Sequence, residues 1–236
     1  MSPRALLFTD PLIVAATSVM GTASLAASLI DRSGRKPHSV ARAWARMLLR
    51  VSGVKVNVEG LEHIQPEASY VFASNHLSLI DTPLAIANIP VQFRFLAKKS
   101  LFRVPFIGGH LKRAGHVAVP REDPRGSLKA MTAAAELIRE RGISVLIFPE
   151  GGRSEGPLQP FKEGAAFIAI KARVPVVPMA IRGTREVLPS GSVDVRPGSV
   201  TLRIGEPIPT TDRKLSERAA LTTEVFERVS KLYSAV

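Results

Sequence analysis

The chain predicts an α/β fold, on three observations. Short runs rich in Val, Ile, Leu and Phe recur along residues 53–236 with helical patterns between them. Some, such as Ile143–Phe148, are continuously apolar, as strands covered on both faces are. Others, such as Val54, Val56 and Val58, alternate with polar residues, as half-covered strands do. Finally, the residues capable of chemistry sit just after these runs, at the strand ends where α/β folds bind ligands. The expected architecture is a mixed central sheet of about seven strands flanked by helices. An N-terminal two-helix membrane-docking element precedes it.

Composition bounds the rest. With 236 residues, 45% of them hydrophobic, the chain can bury a full core, so one domain plus an appendage is expected: residues 1–52 membrane-associated, 53–236 the α/β domain. The absence of cysteine excludes disulfides, thiolate metal sites and cysteine nucleophiles. A net charge of +12 points to anionic partners, whether nucleic acid, a membrane surface or a phosphorylated substrate. Two Tyr and one Trp, with basic residues spread along the chain, offer no base-stacking platform, so no nucleic-acid partner is expected.

Taken in order, Pro11–Ile30 is uncharged for 20 residues, long enough to cross a bilayer but diluted by Ala, Ser, Thr and Gly. A signal peptide is the rival reading, disfavoured by Asp10-Pro11. After the basic turn Ser33–Pro37, Ser39–Val51 is an amphipathic helix. Val40, Trp44, Met47, Leu48 and Val51 form its apolar face, and Arg42, Arg46 and Arg50 a basic stripe, as in a helix lying at headgroup level. Packing of that apolar face on the domain is the alternative.

Strands are expected at 54–58, 70–73, 93–97, 117–119, 143–148, 174–181 and 200–204. The two prolines in 174–181 suggest an edge or a bulge. Helices are expected at 84–87, 127–141 (stopped by Gly142) and 163–172. A closing helix from Asp212 has Leu215, Ala219, Val225, Val229 and Leu232 on its inner face.

The chain is organised around Ser74-Asn75-His76-Leu77-Ser78-Leu79-Ile80-Asp81, between a strand exit and a helix start. A carboxylate five residues beyond a histidine can take the proton of one ring nitrogen and leave the other basic. The same spacing also fits a helix cap in which Asp81 serves only the helix N-terminus. Company decides between them. Phe148-Pro149-Glu150-Gly151-Gly152-Arg153 follows another strand, Gly115 and Arg121 lie between the two blocks, and Val174-Pro175-Val176-Val177-Pro178 comes after. Backbone N–H groups at Gly151-Gly152 and the Arg153 guanidinium suit an anion, with Lys98 arriving from a separate strand end and Arg121 from a third. Lys99 can stand in for Lys98, since alternation turns only one of them to the cleft. Glu150 has two readings, accepting a substrate hydroxyl or bracing Arg153 and its loop, and Asn75 is assigned to positioning. His38, His63, His110 and His116 have no partner spacing, and no metal site is expected.

These four blocks, over roughly residues 40–210, resemble the glycerolipid acyltransferase family, and within it the 1-acyl-glycerol-3-phosphate acyltransferases. One departure is Gly152, where that family commonly has threonine. The resemblance implies His76 as general base oriented by Asp81, and Lys98 and Arg153 on the acceptor phosphate. It further implies acyl-CoA or acyl carrier protein as co-substrate without a cofactor, lysophosphatidic acid as acceptor, and residence on the cytoplasmic face of the membrane. Other acceptors (glycerol 3-phosphate, another lysophospholipid, a lyso-aminolipid) and a non-catalytic membrane-binding role are the alternatives.

Overall fold

The computed structural model describes residues 3–31 and 33–235. Along the chain, α1 is Asp10–Ile30, α2 Arg35–Val51, β1 Val54–Glu59, β2 Val71–Ser74, α3 Asp81–Asn88 and β3 Phe93–Lys98. Then come α4 Ile107–Arg113, β4 Val117–Val119, α5 Pro124–Arg141, β5 Ser144–Ile147 and α6 Gly164–Ala172. The chain finishes with β6 Val176–Arg182, α7 Thr184–Val187, β7 Gly198–Ile204 and α8 Arg218–Ser234. The seven strands form one sheet in the order β1-β7-β6-β2-β5-β3-β4. Only β6 and β7 pair antiparallel, so the sheet is mixed, as expected.

Alternation along the buried strands feeds two apolar layers. Phe72, Phe93, Leu146 and Val177 pack under α2 and α3, whereas Val71, Ala73, Val145 and Val176 pack under α5, α6 and α8. Local signals set the helix ends. Pro124 opens α5, where its missing N–H costs nothing, and Gly142, left-handed at φ 61°, closes it.

Three expectations are corrected. The strand at β6 is not at an edge, because it lies between β7 and β2. Its Pro178 is tolerated at a bulge: Met179 pairs with Ile204 but Val176 with Ile208, so one extra residue on the partner side faces the proline that has no N–H. The closing helix starts at Arg218, and its inner face is Leu221, Val225 and Val229; Leu215 and Ala219 are exposed. Third, the apolar face of α2 and the first arginine of its stripe meet protein, while Arg46 and Arg50 stay exposed. Ala41, Ala45, Leu48 and Leu49 pack into the core, Trp44 Nε1 donates to Thr17 Oγ1 of α1 (3.1 Å), and Arg42 donates to the Ile89 carbonyl beyond α3 (2.6 Å).

What remains uncovered is α1. With the turn Ala5–Thr9 it forms an apolar helix long enough to cross a membrane, and Leu6, Leu7, Phe8, Leu12, Val14 and Val19 face outward. Its other side meets α2 and α4: Ser24 Oγ sits 2.6 Å from His110 Nδ1. The turn into α2 is locked from the core. Arg94 is almost wholly buried, donates to the Phe93 carbonyl (2.9 Å) and reaches the Ser33 and Gly34 carbonyls at 3.5 Å. Gly34 is left-handed at φ +75°, and a Cβ there would lie 2.3 Å from Arg94 Nη2, so this turn admits only glycine.

Candidate active site

Sheet order assembles the site. Strands β2, β5, β3 and β4 are consecutive neighbours and all parallel, so their carboxyl ends lie along one edge. His76 follows β2, Glu150–Arg153 follow β5, Lys98 ends β3 and Arg121 follows β4. The topology therefore gathers residues scattered over seventy-odd positions of sequence onto one rim.

The histidine and aspartate meet. His76 Nδ1 is 2.7 Å from Asp81 Oδ2, with Asp81 fully buried and the imidazole 14% exposed. The same oxygen accepts the Leu77 N–H (2.6 Å) and the Ser78 N–H (2.9 Å), and Asp81 Oδ1 accepts the Thr184 hydroxyl (2.5 Å). A carboxylate with four donors and no proton of its own to give fixes the tautomer: Nδ1 carries hydrogen and Nε2 keeps its lone pair. Asp81 does not serve the helix N-terminus alone: it returns to the Ser78 N–H as a capping carboxylate does, but also holds His76 and Thr184. The imidazole stacks on Phe148, ring centres 4.0 Å apart and planes 12° from parallel.

The backbone of His76 is gripped by the loop after β5. Its N–H donates to Glu150 Oε1 (2.7 Å) and its carbonyl accepts the Ser154 N–H (2.9 Å). Glu150 Oε2 accepts the Gln159 N–H at 3.0 Å. Of its two readings, bracing is the one the contacts carry, and what it braces is His76 and the loop; it makes no ion pair with Arg153. Asn75, also buried, pairs with both peptide groups of Ile181: Nδ2 to the carbonyl (2.9 Å), Oδ1 from the N–H (2.7 Å). This side chain continues the β2–β6 ladder past the end of β2, freeing the main chain to turn toward the cleft.

At the Gly151-Gly152 turn, Gly151 is left-handed (φ +80°) and its carbonyl accepts the Arg121 guanidinium. Burial pulls Arg121 below its ordinary pKa, and neighbouring Glu122 opposes this, so it stays cationic. Lys162, which sequence reasoning passed over, brings Nζ to 2.7 Å from where a Gly151 Cβ would be, and makes no ion pair. Gly152 has open space around its missing side chain, and Arg153 is exposed and unpaired. Lys98 closes β3 and its Nζ lies 3.7 Å from exposed Glu122; Lys99 begins the next turn. Thus Arg121 and Lys162 converge on Gly151, while Arg153 and Lys98 stand along the same rim without touching them.

Residues 55–182 match the family model named Acyltransferase. The chain belongs to the acyltransferase family. A chloroplastic 1-acyl-sn-glycerol-3-phosphate acyltransferase of Brassica napus is 36% identical over 184 residues, 76% of this chain and 53% of that protein. One from Limnanthes douglasii is 31% identical over 186 residues, 77% of this chain and 66% of that protein. This acyltransferase therefore spans about half to two thirds of the length of those curated relatives. The crystal structure of PlsC, the 1-acyl-sn-glycerophosphate acyltransferase of Thermotoga maritima, superposes with a TM-score of 0.80 at 26% identity. It covers 98% of this acyltransferase and 96% of that chain.

The remaining histidines are structural. His116 Nδ1 accepts the Phe95 N–H (2.9 Å), His63 Nδ1 is 2.9 Å from the Ile204 carbonyl, and His38 packs edge-on to Phe93. Thr184 and Arg185, just past β6, have no signal in the sequence: nothing in the spacing of a Gly-Thr-Arg turn announces contact with blocks 30 and 100 residues away. Among the described residues no cluster of three potential ligands could hold a metal.

Proposed function

We propose that this acyltransferase moves a fatty acyl group from acyl-CoA or acyl carrier protein to the sn-2 hydroxyl of 1-acyl-glycerol-3-phosphate, giving phosphatidic acid. The observation that carries the reading is the imidazole of His76, oriented by buried Asp81, at the rim that also bears Arg121, Gly151 and Arg153. His76 Nε2 takes the hydroxyl proton as the oxygen attacks the thioester carbonyl. The tetrahedral intermediate collapses, the C–S bond breaks, and the departing thiolate recovers that proton from the imidazolium. Arg153 and Lys98 hold the acceptor phosphate with the Gly151-Gly152 backbone, and Arg121 supports them. Direct transfer fits a chain without cysteine, whose G-x-S-x-G match at Gly152–Gly156 lies in a loop with a buried Ser154 and no helix directly after it, unlike a strand-to-helix nucleophile elbow.

The acceptor is a lipid, so the rim must reach a bilayer. Residues 1–52 are assigned to that task, with α1 inserted in the cytoplasmic leaflet. Leu101, Val104, Phe106 and Ile107 are exposed on the segment after β3. Phe106 packs beside Gly21 of α1, which makes this segment the natural continuation of the lipid-facing surface.

The test is purified protein with lysophosphatidic acid in vesicles and each donor in turn, following thiol release and product mass. His76→Ala should lose turnover by on the order of 10²–10⁴, the worth of a general base. Near-normal turnover in that variant overturns the assignment. Parallel assays with glycerol 3-phosphate, other lysophospholipids and a lyso-aminolipid decide the acceptor.

A further inference from the structure

The two halves of the site, the His76–Asp81 pair and the glycine turn, are tied together by a segment that belongs to neither. That segment is α7 with its flanks, directly after β6. Its first residue, Thr184, is fully buried and supplies the sole donor on Asp81 Oδ1; the other three donors crowd onto Oδ2. Its second residue, Arg185, sends Nη2 to the Ser154 carbonyl (2.8 Å) and the Gly156 carbonyl (3.0 Å), immediately beyond Arg153. At the far end, the Leu188 carbonyl accepts the Ser78 hydroxyl (2.7 Å) from the loop between His76 and Asp81. One four-residue helix therefore touches the acid, the loop around the base and the anion-binding turn.

We propose that Thr184 and Arg185 are positioning residues with separate duties: Thr184 sets the base through Asp81, and Arg185 sets the phosphate grip through the 154–156 loop. The inference rests on the acyl-transfer reading of His76 and Arg153.

The physics of each contact separates the duties. Asp81 is shut away from water, so a carboxylate oxygen that loses its one partner finds no replacement. The carboxylate then rotates or is pulled toward another donor, and the imidazole turns with it. A general base acts only from within hydrogen-bond reach of the proton it removes, so such a turn is felt in the chemical step. Arg185 differs. It faces two neutral carbonyls, has no carboxylate within ion-pair distance, and leaves its Nε buried without a partner. An arginine held this way contributes little to stability for its desolvation, but keeps an uncompensated positive charge beside the acceptor site and fixes a loop by one terminal nitrogen shared between two carbonyls. Its loss loosens the loop that carries Arg153 while the Asp81 contacts stay intact.

Two neighbouring residues should therefore give opposite kinetic signatures. Thr184→Val keeps shape and removes the hydroxyl. It should lower kcat on the order of tenfold or more and leave the acceptor KM within about twofold. Thr184→Ser keeps the donor and should return kcat to within about threefold of the parent. Arg185→Lys keeps the charge but not the reach and planarity of the guanidinium that bring Nη2 to both carbonyls. It should raise the acceptor KM on the order of tenfold with kcat little changed, and weaken inhibition by inorganic phosphate in step.

All are assayed as full-length protein on vesicles beside His76→Ala and the parent, with thermal unfolding of each. Equal losses in the Val and Ser variants overturn the Thr184 assignment, because packing rather than the hydroxyl would then matter. A Thr184→Val protein with parental kcat overturns it too. An unchanged acceptor KM in Arg185→Lys overturns the Arg185 assignment. Should Thr184→Val not fold, Thr184→Ala, compared with Thr184→Ser, carries the same comparison. An active His76→Ala protein shows instead that the acyl-transfer reading beneath the inference has failed.

Discussion

Acid should destabilise this protein before its carboxylates titrate. Burial, reinforced by Arg42, Arg94 and His110, pushes His38 down to about 3, and burial, reinforced by Arg94, pushes His110 down to about 4. His116 is lowered in the same way, first by burial and then by His110, Arg94 and His38. In the unfolded chain each imidazole titrates near the ordinary histidine value of 6.5. The sign follows directly. The unfolded state binds protons that the folded state refuses, so stability is flat above pH 6.5 and falls as pH drops below it toward the folded values. Each group costs about 1.4 kcal/mol per pH unit in that window, or about 2 kcal/mol at pH 5. His38 and His110 together therefore remove about 4 kcal/mol, a large share of the roughly 5–15 kcal/mol that domains possess. The assay is urea unfolding at steps from pH 7.5 to 5.0, with His110→Leu as the comparison, since that variant should lose less on acidification. An unfolding midpoint that does not move between pH 7 and pH 5, or equal acid sensitivity in His110→Leu, would refute the reasoning.

Other outcomes follow from single contacts. Gly152→Thr meets nothing within 4 Å and should change the melting temperature little, so a shift in acceptor KM would report the restored hydroxyl alone. Gly151→Ala forces a left-handed alanine against Lys162 Nζ; a stability loss of about 1–2 kcal/mol and a raised acceptor KM are expected from denaturation and initial rates. Phe148→Leu removes the ring stacked on His76 and should lower kcat several-fold, the scale of an aromatic contact of about 0.5–1.5 kcal/mol. Val14→Asp with Val19→Asp places charge on the outward face of α1, and vesicle flotation should show weaker binding with unaltered folding.

The sheet was legible because its strands are apolar runs that mean the same thing wherever they stand. All seven expected runs became strands, with ends shifted by a residue or two. The histidine–aspartate pair was legible because the two stand five positions apart, with the loop from His76 leading into the helix that Asp81 opens. What escaped depends on strand order. Apolar runs do not say that β6 lies beside β2, and it is this adjacency that puts Thr184 on Asp81 and Ile181 on Asn75. The faces of α2 escaped for a related reason. Trp44 and Arg42 look alike to a periodicity count whether their partner is lipid or protein, and the partners turned out to be Thr17 and the end of α3.

The amide of Asn75 stands in for a missing peptide unit, and that restricts what evolution can write there. Among the genetic code's side chains only asparagine and glutamine carry the peptide's own N–H donor and C=O acceptor on one carbon, and glutamine is a carbon too long to lie flush with Ile181. Aspartate, identical in outline, would set oxygen against oxygen at the Ile181 carbonyl. The letter before the histidine is thus dictated by masonry rather than by chemistry.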